Sequence, residues 1–212
     1  MEKVAIWGAS GHAMVVADIL RVQRKYEIVG YLDNVNPNNH GKMFCGSPIL
    51  GGEEQIPSLL KQGVQHLIIG FGNSDARLAL AVRMKTIGFD LAIAIHPKAT
   101  IASDVQIKPG TVVAAGAVIN PGCKIGENVI INTSSSIDHE CIIDDGVHIS
   151  PGVHLAGNVS IGRATWVGIG TSIIERVSIG SRTIIGAGSV VVGNIPEQVV
   201  AYGNPAKVIK TR

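Results

Sequence analysis

A short polar segment, Asp138-His139-Glu140, interrupts a part of the chain that is otherwise apolar, glycine-rich and regular. A histidine beside a carboxylate can act as a general base, because its pKa lies near neutral pH and the carboxylate orients the ring and stabilises its charged form. Asn132 and His148 flank the segment as further polar candidates. On spacing alone, an ordinary solvated surface histidine is an equally good interpretation of His139.

The elements that must position these residues follow from a repeat of six residues. An aliphatic residue recurs at every sixth position from Ile95 to Val191 without a break, and a small or β-branched residue follows four places after each. Neither the helical period of 3.6 nor the strand alternation of two produces this spacing. A hexad describes one short strand and a turn, so three hexads make one coil of a prism, with coils stacked about 4.8 Å apart.

The phase of the repeat predicts which side chains face the interior. His139 and Glu140 fall on the two turn positions and should point outward at a corner, whereas Cys123 and Cys141 should point inward and stack on each other. With Cys45, these two make an odd and sparse set of three cysteines that matches no paired metal-ligand spacing. We therefore expect the cysteines to serve packing in a reducing compartment and expect no metal site.

Residues 1–92 follow a different pattern, in which buried-strand runs alternate with helical patterns. This alternation predicts a small Rossmann-like α/β domain with a parallel sheet. The predicted elements are strands over 3–7, 27–32 and 65–71 and helices over 12–24, 53–61 and 75–86. We expect the β-helix domain over 93–195 and a C-terminal tail over 196–212.

Three loops follow the predicted strands of the first domain and should meet at one edge of its sheet, where open α/β sheets bind ligands. The first, Gly8-Ala9-Ser10-Gly11-His12, allows backbone N–H groups to approach a phosphate at a helix N-terminus, although it is not a full dinucleotide-binding fingerprint. Asp33 ends the second strand, and Gly72 lies in the third loop. Asp33 either holds a ribose or base or caps a turn. Together the loops predict a nucleotide cleft.

Composition excludes two classes of partner. The formal charge is +2 and no basic run is present, which argues against a nucleic-acid partner. Mean hydropathy is +0.32, yet no window approaches the ~18 unbroken apolar residues of a membrane span. The N-terminus shows no signal-peptide pattern, so we expect a cytoplasmic protein.

Two motifs resemble known families. The pattern of an aliphatic residue, a glycine, two variable residues and a small residue, as at 125–129 and 185–189, resembles the hexapeptide-repeat acyltransferases. Asp138-His139-Glu140 followed by His148 is similar to the signature of sugar N-acetyltransferases with an N-terminal nucleotide-binding domain. The resemblance implies a left-handed parallel β-helix, acetyl-CoA as co-substrate without a metal, and a homotrimer with active sites between subunits.

The resemblance also implies roles for the polar residues. His139 is the base that accepts a proton from the sugar amine as it attacks the thioester, Glu140 steadies His139, and His148 completes the catalytic set. His139 and His148 lie half a coil apart, so we hypothesise that they approach each other only across a trimer interface. The backbone N–H of Gly157 is the expected oxyanion donor.

Substrate contacts are expected at two places. Gly170 and Gly188 either admit the pantetheine arm or are ordinary hexad corners, and Lys207 either meets the CoA phosphates or lies in a solvated tail. The nucleotide sugar is expected to contact Gly8, Ser10, Gly11, His12, Asp33, Gly72 and Asn132.

The function that follows is acetyl transfer from acetyl-CoA to the amino group of a UDP-, dTDP- or GDP-linked 4-amino-deoxy sugar. One alternative is O-acetylation of sialic acids by the same His–Glu pair, and another is a non-catalytic nucleotide-binding scaffold. Zinc-dependent hydration of carbon dioxide would need His139, His148 and His154 as ligands. Zinc ligands must converge to about 2.0 Å, whereas His148 and His154 fall on different faces, so His154 is interpreted as structural.

Overall fold

The first structural unit is an α/β sheet with helices on both sides. The computed structural model describes all residues, 1–212. The strands of the sheet are β1 (Glu2–Trp7), β2 (Tyr26–Leu32), β3 (Met43–Phe44), β4 (Ser47–Gly51), β5 (His66–Ile69) and β6 (Asp90–Leu91). The helices are α1 (Gly11–Gln23), α2 (Ile56–Lys61) and α3 (Ser74–Ile87), with 3₁₀ turns at Pro37–Asn39 and Glu53–Gln55.

The six strands lie in the order β3-β4-β2-β1-β5-β6, and every pair is parallel except β3 with β4. The predicted parallel α/β domain is therefore confirmed, with its three predicted strands and three predicted helices in place. The β3–β4 hairpin and β6 were not predicted from the sequence, because these strands are short or contain Pro and Gly. None of the helices is long and apolar enough to cross a membrane.

Alternation along β1 builds a core on each side of the sheet. Val4 and Ile6 pack towards α1, whereas Ala5 and Trp7 pack towards α2 and α3, because successive side chains of a strand point to opposite faces. The α1 core continues into Ala94, Val112 and other residues of the second unit. One face of helix α1 is therefore buried against both the sheet and the second unit, while its other face is exposed.

The second unit is the three-sided, left-handed parallel β-helix that the resemblance implied. Its strands have two residues each: Ala94–Ile95 (β7), Thr100–Ile101 (β8), Gln106–Ile107 (β9), Val112–Val113 (β10), Val118–Ile119 (β11), Lys124–Ile125 (β12), Ile130–Ile131 (β13), Ser136–Ile137 (β14), Ile142–Ile143 (β15), His148–Ile149 (β16), His154–Leu155 (β17), Ser160–Ile161 (β18), Trp166–Val167 (β19), Ser172–Ile173 (β20), Ser178–Ile179 (β21), Ile184–Ile185 (β22) and Val190–Val191 (β23). Each ends on one aliphatic residue of the predicted series.

Every third strand stacks in register, which produces three faces. Face 1 contains β7, β10, β13, β16, β19 and β22; face 2 contains β8, β11, β14, β17, β20 and β23; face 3 contains β9, β12, β15, β18 and β21. The second residue of each strand points inward and the first points outward, so Ile149 is buried in the core while its neighbour His148 lies on the outer side of face 1. The predicted positions of Cys123 and Cys141 are confirmed, because both thiols are buried and unbridged.

Residues that follow the last coil form a hairpin instead of a tail. Strand β24 (Val199–Gly203) adds to face 1 in parallel with β22, and β25 (Ala206–Thr211) pairs with β24 antiparallel. Val199 and Ala201 are buried in the end of the β-helix core, which explains why this segment folds back.

Candidate active site

His139 lies at a corner of the β-helix, two residues after the end of β14, where the chain turns from face 2 to face 3. Its side chain is 54% exposed and that of Glu140 is 63% exposed, as the repeat predicted. His139 Nδ1 lies 3.1 Å from Glu140 Oε2. Asp138 shapes the turn, because its Oδ1 accepts hydrogen bonds from the backbone N–H of His139 at 2.8 Å and from Asn120 Nδ2 at 2.9 Å.

The next coil supports this corner from one side. Asn158 Nδ2 donates to Glu140 Oε2 at 3.1 Å, and the hydrogen bonds from His139 and from Asn158 lower the pKa of Glu140. Gly157 lies against the imidazole, since a Cβ there would come within 2.5 Å of His139 Nε2. The N–H of Gly157 makes no hydrogen bond within the chain. Asn158 was not among the predicted site residues, although it stands one coil after Glu140 at a left-handed position that asparagine tolerates.

His148 lies elsewhere, in a column of rings on face 1. Its imidazole stacks on Trp166 with a centroid distance of 4.8 Å and an interplanar angle of 13°, and His12 lies 6.4 Å away. A Cβ on Gly72 would be 3.7 Å from the His148 ring. Within one chain the structure thus joins His148 to the expected nucleotide loops and places His139 at a different corner. Trp166, the indole of this column, was not among the expected site residues.

Both histidines of the column are held neutral. Burial, followed by the positive charge of Arg77, lowers the pKa of His12 to about 4 and that of His148 to about 3. His12 Nε2 and His148 Nδ1 are buried and have no hydrogen-bond partner within the chain. At neutral pH, these two imidazoles therefore offer uncharged hydrogen-bonding groups to a molecule that enters the site.

The loops after β1, β2 and β5 meet at one sheet edge, around a cavity of about 200 Å³. Its walls include Trp7, Gly8, Ala9, Ser10, Leu32, Asp33, Asn34, Val35, Asn36 and Phe71. Gly8 has a φ of +117°, and a Cβ on it would lie 3.2 Å from the carbonyl oxygen of Gly70, so the first and third loops touch. Gly11 and His12 begin α1, and the Ser10 side chain makes no capping hydrogen bond.

Asp33 caps a turn at the entrance of this cavity. Its Oδ1 accepts hydrogen bonds from the backbone N–H groups of Val35 at 2.9 Å and Asn36 at 3.3 Å. Of the two interpretations of Asp33, the structure shows the turn cap directly. Because Asp33 also lines the cavity, the turn leaves the carboxylate beside a prospective ligand.

The other expected residues lie at the corner between faces 1 and 2 and on β25. Gly170 and Gly188 have φ values of +67° and +65°, which are typical of hexad corners. A Cβ on either glycine would meet no atom within 4 Å. Asn132 follows β13, where its Oδ1 accepts from the backbone N–H of Thr133 at 2.8 Å. Lys207 is exposed on β25. No three His, Cys, Asp or Glu side chains are grouped as they would be to hold a metal ion.

Two family models match the two structural units. Residues 3–84 match the PglD N-terminal domain, and residues 122–157 and 158–193 match the bacterial transferase hexapeptide family, a model of six repeats. The two matches follow the division seen in the structure between the α/β sheet and the β-helix.

Solved structures match nearly the whole chain. Perosamine N-acetyltransferase from Caulobacter crescentus, in complex with CoA and GDP-perosamine, is 36% identical with a TM-score of 0.94, and the match covers 99% of this chain and 98% of that one. The acetyltransferase domain of PglB from Neisseria gonorrhoeae, in complex with acetyl coenzyme A, is 36% identical with a TM-score of 0.92 over 98% and 99% of the two chains. WeeI from Acinetobacter baumannii is 25% identical with a TM-score of 0.88 over 99% and 100%.

A curated relative from Saccharomyces cerevisiae, YJL218W, is named as a candidate acetyltransferase and is 44% identical over 59 residues. That match spans 28% of this chain and 30% of the yeast protein. The Caulobacter and Neisseria structures carry the assignment, because they match both units in their order and at an identity above 30%. The chain belongs to the hexapeptide-repeat acetyltransferases that carry a PglD-type N-terminal domain.

Proposed function

We propose that this protein transfers acetyl from acetyl-CoA to the amino group of a nucleotide-linked 4-amino-deoxy sugar, with UDP, dTDP or GDP as the nucleotide. The observation that carries the proposal is the corner at His139, where Nδ1 lies 3.1 Å from Glu140 and Nε2 faces Gly157 without a partner. The cavity at the sheet edge supports a nucleotide-linked acceptor. The Caulobacter relative, solved with CoA and GDP-perosamine, supports the same substrate pair.

The proposed chemistry needs one base and one oxyanion donor. The His139 Nδ1–H donates to Glu140, which leaves the lone pair on Nε2 free to accept a proton from the attacking amine. A C–N bond forms at the thioester carbonyl, and the free N–H of Gly157 stabilises the oxyanion. The C–S bond then breaks, and the CoA thiolate takes the proton from His139.

The active site is proposed to lie between subunits of a homotrimer. His139 occupies the corner between faces 2 and 3, whereas His148, Asn132 and the cavity belong to the side of the chain that carries face 1. Both groups serve one reaction only if His139 of one subunit meets the cavity and His148 of the next. In this arrangement His148 acts as a neutral hydrogen-bonding group toward the acceptor.

Acetyl-CoA is proposed to lie along the later coils beside this site. Gly170 and Gly188, which leave open space at one corner, would admit the pantetheine arm, and Lys207 would meet a CoA phosphate. Replacement of Lys207 by Met is expected to raise the KM for acetyl-CoA several-fold and to leave the KM for the sugar unchanged. An unchanged KM for acetyl-CoA would remove Lys207 from the site.

Release of free thiol from acetyl-CoA tests the reaction against UDP-, dTDP- and GDP-linked 4-amino sugars, with free sialic acids in parallel. We expect turnover of one amino sugar and a loss of about 10²- to 10⁴-fold in kcat on replacement of His139 by Ala. His154→Ala is the matched control, because His154 is also an exposed β-helix histidine and bonds only Ser136. Turnover of sialic acids alone would indicate O-acetylation, and activity unchanged in His139→Ala would remove the proposed base.

Mixed trimers test the shared site. The His139→Ala and His148→Ala variants are each expected to be weakly active, and subunits exchanged between them should recover activity, because some interfaces then combine two intact halves. No recovery after verified exchange would place the whole site within one chain.

A further inference from the structure

Arg77 is a buried cation without a carboxylate partner. The residue is 1% exposed, and it lies on α3 at the junction of the two structural units. Nε donates to the carbonyl oxygen of Asn128 at 2.9 Å, and Nη2 donates to that of Gly146 at 2.8 Å. Nη1 donates to the carbonyl oxygens of Gly72 at 2.8 Å and Phe71 at 3.2 Å. Four of the five guanidinium donors thus end on backbone carbonyls.

These carbonyls belong to the two sides of the proposed acceptor site. Phe71 and Gly72 form the loop after β5, and Phe71 lines the nucleotide cavity. Asn128 and Gly146 stand on successive coils at the corner between faces 3 and 1, beside the strand that carries His148. The Arg77 side chain therefore fixes the cavity loop directly to the β-helix.

Other contacts at this junction do not make the same connection. Lys85 pairs with Glu127 and Arg182 pairs with Asp75, but all four side chains are substantially exposed, and surface ion pairs contribute little. Leu78 packs so tightly on Gly146 that a Cβ there would lie 2.4 Å from it, which seats α3 but does not touch the loop. Among these contacts between α3 and the β-helix, those of Arg77 are the ones that also include hydrogen bonds to the Phe71–Gly72 loop.

Burial of a guanidinium ion costs solvation free energy, and packing alone does not require a charge at this position. Burial lowers the pKa of Arg77 to about 10, and the guanidinium therefore stays charged at neutral pH. An apolar side chain of similar length would fill the same space without desolvating an ion. The positive charge also opposes protonation of His12 and His148, the two histidines that border Gly72 and the cavity loops.

We propose that Arg77 is a positioning residue for the acceptor: it locks the Phe71–Gly72 loop to the β-helix and so sets the placement of the bound nucleotide sugar relative to His148. This inference rests on the proposed function. Arg77 touches neither substrate. It acts through the loop and through the charge that it holds beside the two imidazoles.

The test compares Arg77→Lys and Arg77→Met with Arg83→Met as the matched control, because Arg83 lies on the same helix, is exposed and pairs only with Glu53. We expect the KM for the nucleotide amino sugar to rise about tenfold or more in Arg77→Met, with the KM for acetyl-CoA within about twofold of the native value. Arg77→Lys keeps the positive charge but loses the planar set of guanidinium donors, so its KM for the sugar should lie between those of the native protein and Arg77→Met. Arg83→Met should change neither constant.

A second readout is independent of turnover. In the NMR titration of the imidazoles, His148 should take up its proton at higher pH in Arg77→Met than in Arg77→Lys. Equal changes in both KM values, or unchanged KM values in folded variants, would overturn the inference and leave the proposed function intact. Failure of both variants to fold would also overturn it, since Arg77 would then be a purely structural residue. A native protein inactive on every amino sugar would instead refute the proposed function.

Discussion

The imidazole of His139 rests on the backbone of Gly157, one coil further along, so closely that a Cβ on Gly157 would lie 2.5 Å from Nε2. A side chain at Gly157 must therefore displace the ring from its place beside Glu140. This contact makes the position of the proposed base depend on a residue that has no side chain.

Replacement of Gly157 by Ala is expected to lower kcat by about 10²-fold, because a displacement near 1 Å is enough to misalign a catalytic group. Thermal stability should change little, since the exposed ring can rotate away. Gly193→Ala is the control, because Gly193 occupies the same corner two coils later and a Cβ there would meet no atom within 4 Å. An equal loss in both variants would indicate a general effect on the coil. Steady-state thiol release and melting curves measure both quantities.

Asn158 is expected to support catalysis through Glu140. Asn158→Gly removes the amide but keeps a residue that accepts the φ of 60° at this position. The Glu140 carboxylate would lose one of its two hydrogen-bond donors, so its pKa should rise and kcat should fall about three- to tenfold. Carbon-detected NMR of the carboxylate and steady-state kinetics check the two effects. A fall in kcat without a change in the pKa of Glu140 would contradict the proposed route.

Stability is expected to fall as pH decreases below 6.5. The pKa values of His12 and His148 are lowered to about 4 and about 3 in the folded protein, so below 6.5 the unfolded chain binds more protons than the folded chain. Each histidine should then remove up to about 1.4 kcal/mol of unfolding free energy per pH unit until its folded pKa is reached. Denaturant melts at pH 7.5, 6.0 and 5.0 measure the slope, and His148→Gln should reduce it. A flat profile would contradict the assignment of neutral imidazoles.

The two residues of β15 provide a matched test of the core. Ile143 is 1% exposed inside the prism, whereas its neighbour Ile142 is 46% exposed on face 3. Ile143→Ala should cost about 2–5 kcal/mol of unfolding free energy, because it opens a cavity in a packed interior. Ile142→Ala should cost less than about 1 kcal/mol in the isolated chain. Equal costs would mean that face 3 is covered in the assembled protein, which the concentration dependence of the melt would reveal.

The β-helix could be predicted from sequence because its period is imposed locally. Each hexad must present its aliphatic residue to the same interior, so the series from Ile95 to Val191 fixes strands, faces and the outward direction of His139 together. The hairpin of β24 and β25 was not predicted, because its sequence does not continue the six-residue period. Its apolar residues find their partners at the end of the stack, and a period of six does not reveal that contact.

Residues at the junction of the two units could be predicted least well. The repeat places Trp166 and His148 on the outside of face 1, but which of them is covered depends on how the α/β unit docks, and no local pattern encodes that. In the sequence, Arg77 is one of several charged residues in the α3 segment. What distinguishes it from Arg83 is its four carbonyl acceptors, two in the nearby loop at Phe71 and Gly72 and two in the distant coils at Asn128 and Gly146.

Strand β25 changes how the end of the stack meets other molecules. A parallel coil with an open edge is a template on which a further strand from another chain can pair, and this is a route to fibres. Here the last strand of face 1 is covered by β25, which runs antiparallel and presents Lys207 and Lys210 to solvent. We therefore expect the hairpin and its lysines to hinder strand pairing at this end of face 1, and we expect a chain lacking β25 to form end-to-end polymers more readily.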